Sequence, residues 1–416
     1  MFITYLAYLL NRSKFLLTGI FIFVHFTTLH AQESQMRISG TIVDANTKMP
    51  LSKASVYLDQ TTKSTFTTDS GTFILSVPSG NYTLAVSYVG YNSASVSVTE
   101  QANPSFRIEL VPTEKILNEV VISAKSKKIN YFNLFHVLFL GKGAGDCTIQ
   151  NEKALFFDYS DTDVLTAETN APLIIDNYAL GYRVYYDLTS FVHYAGRISY
   201  TGHSRFEEMK PKDNKEKKTW KSNRAAAYYG SVTHFMRSLV KNDLKKQGFL
   251  VKTLVKANKA PASIPVLKKW HSNTATKSPD TLVSMRWNGR DYSPADSTVL
   301  PENKTPYRWG EHSGYNILYP EPVKTGSIIT PTSTEGNFRL KFKNSLFVTY
   351  TKKKTTEDVW GFGDREPALI TSIVTMLIPE TFVDLRGNLA DPNALINEGY
   401  WAKQRIANQL PFDYLP

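Results

Sequence analysis

The chain holds eight histidines. A zinc peptidase would need one of them three residues before a glutamate, a further distant ligand, and an open coordination position for water. That spacing occurs once, at His30 and Glu33. His136, His193, His203, His234, His271 and His312 have no glutamate three positions on, and no His-Glu-x-x-His occurs. Serine acyl transfer has a partial set: Ser238-Leu239-Val240-Lys241 reads Ser-x-x-Lys, and Lys324-Thr325-Gly326 reads Lys-Thr-Gly. No convincing Ser-Asp-Asn equivalent lies between them, and no Gly-x-Ser-x-Gly elbow or phosphate-binding glycine loop occurs. Asp158, Asp161 and Asp163 offer carboxylates to calcium, but the loop glycine and distal glutamate of an EF-hand are missing. Those three acids read as a solvated turn.

One constellation stays open. TGHSRFEEM has the alternation of a strand, which sets His203, Arg205 and Glu207 on one face. They could line a polar cleft or an acid/base site. The simpler reading is the wet face of an antiparallel sheet with cross-strand ion pairs, because alternation alone produces it. The expectation is therefore no catalytic residue, no bound metal and no cofactor.

The elements around these residues are mostly strands. In residues 36–110, Phe73, Leu75 and Val77 alternate with Ile74 and Ser76. Tyr82, Leu84, Val86 and Tyr88 share a face, and Ala94, Val96 and Val98 face away from Ser93, Ser95 and Ser97. Such period-two patterning puts one face in a core and the other in water. Asp69-Ser70-Gly71, Ser79-Gly80 and Val89-Gly90 supply turns. Short strands at this spacing predict a β-sandwich.

The runs ISGTIVDANTKMPLSKASVYL and TDSGTFILSVPSGNYTLAVSYVGY resemble the carboxypeptidase regulatory-like domain. Gly40, Asp44, Pro50, Asp69, Gly71, Phe73, Pro78, Gly80, Tyr88, Gly90 and Tyr91 fall in the family's order over residues 36–110. The family's Gly-Ala pair is Lys53-Ala54 here. The resemblance implies a seven-stranded, transthyretin-like sandwich without catalytic residues. Family members stand at the front of TonB-dependent receptors of Bacteroidota and in many secreted proteins of that phylum.

Residues 111–130 have linker composition with a strand-like centre, ILNEVVISAKSKK. In the receptors, a short extended box after the front domain is captured by an energy transducer through strand addition. The matching residues here are Glu119, Val120, Val121 and Ile122. The alternative is an edge strand followed by a solvated hinge at Lys125, Lys127 and Lys128.

Residues 131–416 form a second, β-rich region with some helix. LIIDN, GYRVYYDL and RISYTGHSRFEEM predict strands, as do FRLKFK, LFVTYTK and ALITSIVTMLIP. The lysine-rich residues 210–224 predict a solvated hairpin tip or insertion. SVTHFMRSLVKNDLKKQGF predicts one helix, capped by Ser231 and closed at Gly248. GYWAKQRIANQLPFDY predicts a short helix ended by Pro411. ALGYRVYYDL, YYGSVTHFMRSL and the closing run resemble uncharacterised Bacteroidota proteins with the same front domain. The expected fold is mainly β with some α: a sandwich, then a β-rich α+β domain.

Arg12 and Lys14, the apolar FLLTGIFIFVHF and the small residue Ala31 predict an export signal over residues 1–31. Its removal lowers the net charge by two, from +11 to +9. A basic exported chain meets anionic lipid or acidic glycan before nucleic acid, and solubility alone also accounts for the charge. The single cysteine, Cys147, excludes an internal disulfide and reads as a small buried hydrophobe.

The leading expectation is a non-catalytic binding or scaffold protein of the periplasm or outer membrane, with an envelope protein or glycan as partner and no nucleic acid. The alternatives are a receptor-linked accessory acting through residues 119–122 and a hydrolase with its site in residues 131–416. A receptor barrel has about 22 strands of about 9–11 residues each. Residues 131–416 leave almost nothing beyond that for a plug and loops.

Overall fold

The computed structural model describes residues 35–98, 104–113, 130–159, 164–194, 196–257, 283–287, 314–334, 336–356 and 367–416. The expected export signal, the His30–Glu33 pair, Asp161, Asp163, and Glu119, Val120, Val121 and Ile122 lie outside them. The fold is mainly β with a few short helices.

The front domain has seven strands: β1 (Gln35–Asp44), β2 (Ser55–Leu58), β3 (Ser64–Phe66), β4 (Thr72–Pro78), β5 (Tyr82–Ser87), β6 (Ala94–Val98) and β7 (Ser105–Leu110). They make two sheets, β4-β1-β7 and β3-β2-β5-β6, whose inner faces share one apolar core. β4 alternates as predicted, with Phe73, Leu75 and Val77 buried. Gly71 turns the chain into β4 at φ 72°, where a Cβ would stand 2.6 Å from the Ile42 carbonyl oxygen, so only glycine fits. β5 departs from one-sided burial. Leu84 and Val86 enter the sandwich core, but Ala85 and Ser87 are buried too, because the second domain covers their face.

The second domain opens with α1 (Tyr131–Leu140), which the strand patterning did not reveal. Asn130 caps it, and Phe135 and Phe139, one turn apart, sink into the adjoining sheet. That sheet joins β8 (Cys147–Ile149), β9 (Leu155–Tyr159), β10 (Leu165–Thr169), β11 (Leu173–Asn177), β12 (Tyr182–Tyr194) and β13 (Arg197–Glu208). The order is β8-β11-β12-β10-β9, with β13 paired along β12. The register sets Asp187 opposite His203 and Tyr185 opposite Arg205.

Residues 210–224 are not a solvated loop; most of them form helix α2 (Asn214–Tyr228). Asp213 caps its start by accepting the Glu216 N–H at 2.7 Å, and Glu216 reaches back to accept the Lys212 N–H. Its inner face reads the turn before β12. Trp220 donates to the Tyr178 carbonyl, Asn223 to Ala179, and Arg224 to Leu180 and Gly181. The lysines occupy the outer face, so their charge disguised an amphipathic helix.

The predicted single helix over residues 231–248 is two, α3 (Val232–Val240) and α4 (Leu244–Gln247). Asn242 takes φ 53°, and the Asp243 N–H returns to the Ser238 carbonyl while the Asn242 N–H returns to Leu239. This is a Schellman end with asparagine in the left-handed position. Ser231 and Gly248 cap the outer ends as expected.

The remaining strands are β14 (Phe249–Ala257), β15 (Val283–Trp287), β16 (Gly314–Pro322), β17 (Ile329–Pro331), β18 (Asn337–Leu340), β19 (Ser345–Thr355), β20 (Ala368–Met376), β21 (Thr381–Asp384) and β22 (Leu395–Gly399). They form one sheet, β15-β16-β14-β19-β20-β22, and a small one, β17-β18-β21. Phe235 and Leu239 of α3 bury against Val251, Val348, Ile370 and Trp401. The closing run is a single turn of helix, α5 (Tyr400–Lys403), then a 3-10 turn at Ile406–Asn408.

Arg237 of α3 is buried, and its guanidinium donates to three carbonyls: Arg386 at 2.7 Å, Phe412 at 2.7 Å and Tyr414 at 2.9 Å. One planar fork thus ties α3 to the loop after β21 and to the C-terminal tail. Arg237→Met is expected to destabilise the fold by about 3 kcal/mol, because it strands buried acceptors. Arg237→Lys is expected to recover little, since an ammonium cannot reproduce the fork. Denaturant unfolding of both variants checks this.

Candidate functional site at the seam between the domains

The β2–β3 turn carries the site. Gln60 sits at φ 57°, which points its amide and carbonyl in opposite directions into the second domain. Its N–H donates to the Ser204 carbonyl of β13 at 2.7 Å, and Phe206 N–H donates back to Thr61 at 2.9 Å. The Gln60 carbonyl accepts from Phe412 N–H at 2.7 Å. Asp413 accepts from the Thr62 N–H at 3.0 Å and from its hydroxyl. The turn is therefore wedged between the edge of β13 and the C-terminal tail.

Beside the wedge, one carboxylate meets an imidazole, and a second stands opposite it on the neighbouring strand. Asp187 is buried and accepts from the Tyr57 hydroxyl and, at 3.0 Å, from the Ser87 hydroxyl. Burial raises its pKa, against the pull of those two donors. Tyr57 is raised well above the ordinary phenol value by burial and by the Asp187 charge. His203 Nδ1 stands 3.2 Å from Asp59 Oδ2, a charge contact rather than a well-aligned hydrogen bond. That contact raises the pKa of His203 against the effect of burial. Asp59 also accepts from Ser204 N–H at 2.7 Å.

The three residues predicted on one face of β13 do stand on one face, but they do not converge. His203 goes into the seam. Arg205 lies flat on the Tyr185 ring, 3.5 Å from its centre, and is 4.0 Å from Glu207. Glu207 is exposed and accepts from the Tyr185 hydroxyl. The face is half wet: its outer end meets water and its inner end meets the front domain. Asp187, the cross-strand neighbour of His203, was the missed residue. Its signal was an acid alternating with Tyr185 and Arg183 on the face away from Val184 and Tyr186.

The other candidate groups are held apart by their own bonds and positions. The Ser238 hydroxyl donates to the His234 carbonyl within its own helix, and Lys324-Thr325-Gly326 belongs to a short exposed turn. Cys147 is buried, which pushes its thiol up to about 12. Asp158 lies in β9. Among the described residues, no group of three or more His, Cys, Asp or Glu side chains could hold a metal ion. Also among them, no helix is long and apolar enough to cross a membrane.

A small cleft opens along the seam between Asp59, Gln60, Asn81 and Tyr82 on one side and Asp384, Arg386, Asn388 and Phe412 on the other. Its room, about 20 Å³, suits a water or two. Arg386 closes one wall by donating to the Ser79 carbonyl at 2.8 Å, with its guanidinium 4.4 Å from the centre of the Tyr82 ring.

The front domain is a CarboxypepD_reg-like domain: that family model matches residues 38–122. The match runs past β7 and takes in Glu119, Val120, Val121 and Ile122. No curated protein sequence matches the chain. Among solved structures, a DUF3823 family protein from Bacteroides uniformis is 9% identical over 81% of this chain and 96% of its own, with a TM-score of 0.16. A DUF3823 family protein from Parabacteroides merdae is 14% identical over 42% and 80%, with a TM-score of 0.17. A cohesin–X-dockerin complex from Acetivibrio cellulolyticus is 23% identical over 18% of this chain and 56% of that chain, with a TM-score of 0.17.

Tyr57→Phe is expected to cost about 1–3 kcal/mol, because it removes a donor from a buried carboxylate. Its effect and that of Asp187→Asn should be non-additive by at least about 0.5 kcal/mol. Glu207→Ala should stay within about 0.5 kcal/mol of the parent. Equilibrium unfolding of the parent, the three single variants and the Tyr57→Phe/Asp187→Asn double variant checks all three.

Proposed function

We propose that this chain is a non-catalytic binding or scaffold protein of the bacterial cell envelope, exported to the periplasm or outer membrane. In this reading the front sandwich is a fixed part of the binding body, not a tethered module. The wedged Gln60 turn carries the reading. A module meant to swing would not place a backbone ladder between a strand edge and a tail of its neighbour. The polar side chains that could do chemistry also support it. His203, Asp59, Asp187 and Tyr57 are committed to contacts along the seam between the domains, and the small cleft beside Asp59 has room for only a water or two.

The partner is an envelope protein or glycan. The surface offered to it is the open end of the sandwich, where Met49, Val89 and Val111 are exposed. Their loops are held by hydrogen bonds from Asp44 N–H to Met49, from Asn92 N–H to Val111 and from the Tyr91 hydroxyl to Asp44. Apolar side chains on bonded loops bind with little ordering cost.

The full chain is expected to hold its envelope partner without altering it, and Val89→Asp with Val111→Asp should weaken binding at least tenfold at unchanged stability. Affinity measurement and mass analysis of the recovered partner read both. A chemically altered partner, with the change dependent on His203 or Glu207, would turn the reading to a hydrolase. Binding lost only on deleting residues 119–124 would turn it to a receptor-linked accessory.

A further inference from the structure

We propose that His203 is a proton-operated latch between the two domains, tightening their docking as pH falls. The latch does not depend on which partner the molecule binds. Its geometry is specific. The imidazole meets Asp59 of the front domain at 3.2 Å across the seam, while Asp187 is its direct cross-strand partner on its own sheet. Every neighbouring charge has a fixed post. From the front domain, Tyr57 donates to Asp187 and is spent there. On the histidine's own strand, Arg205 stacks on Tyr185, and Glu207 lies farther out in solvent. From the tail, Asp413 is bonded to Thr62.

Protonated, His203 is attracted to Asp59 across the seam and to Asp187 on its own sheet. Deprotonated, it loses both attractions. A histidine raised above its ordinary value adds stability that is fully present below the unfolded value. That contribution is lost as pH rises through the folded value. Each unit by which the histidine is raised corresponds to about tenfold in the docking equilibrium. His234 provides an internal contrast. It is packed among Tyr228, Tyr229, Phe249 and Tyr350, accepts the Gly230 N–H on Nδ1, and burial lowers its pKa. Its contribution is lost as pH falls, and it sits inside one domain, where it cannot move the seam.

Hydrogen exchange of the full chain tests the latch at the Gln60 and Phe206 amides, which cross the seam. After correction for intrinsic rates, both should exchange several-fold more slowly near pH 6 than near pH 8.5, on either side of the ordinary histidine value of about 6.5. H203Q should abolish the difference, and D59N should shrink it. Equal protection at both pH values in the parent, or an undiminished difference in H203Q, would overturn the latch. If H203Q does not fold, the imidazole titration of the parent decides by NMR: a midpoint above the ordinary value supports the latch, and one at or below it overturns it.

Discussion

The molecule is organised by a backbone wedge. One turn of the front domain, at Gln60, gives its amide to β13 and its carbonyl to the C-terminal tail. Buried backbone groups must be paired, so these bonds fix more than a contact area. They fix the register of β13 against the front domain and the path of the tail against both. Through Arg237, the tail in turn holds α3 and the loop after β21. That loop returns to the front domain, where Arg386 donates to Ser79. The connections form a closed circuit through both domains, and no single element can leave without stranding donors or acceptors elsewhere.

The circuit changes what the family relationship implies. A seven-stranded sandwich with its own core could stand as a separate bead. Here the outer face of β2 and β5 is used up by its neighbour. Tyr57 and Ser87, which an isolated sandwich would show to water, meet the buried Asp187 instead. The free surface of the sandwich is therefore its open end and its other sheet. That surface is presented on a body with set geometry.

Much of the local structure was legible in the sequence. Phe73, Leu75 and Val77 alternate because one face of β4 is wet, and Ser231 and Gly248 mark helix ends through capping chemistry. The lost parts have physical reasons. In α2, Asp213 and Glu216 stand at the spacing of a helix start, and Trp220, Arg224 and Tyr228 follow at four-residue steps. Seven basic residues over 210–224 outweighed that signal. The break at Asn242 hid because asparagine, not glycine, took the left-handed position. The seam was invisible for a different reason. The Tyr57–Asp187 bond spans 130 residues and the Thr62–Asp413 bond 351. Alternation places His203 and Asp187 on an outer face, but it does not say whether water or another domain covers that face.

Calorimetry of the full chain tests the closed circuit most directly. If the two domains are one body, they unfold together, in a single transition whose calorimetric and van't Hoff enthalpies agree. Two separated transitions, the smaller carrying only the enthalpy of the front sandwich, would contradict it.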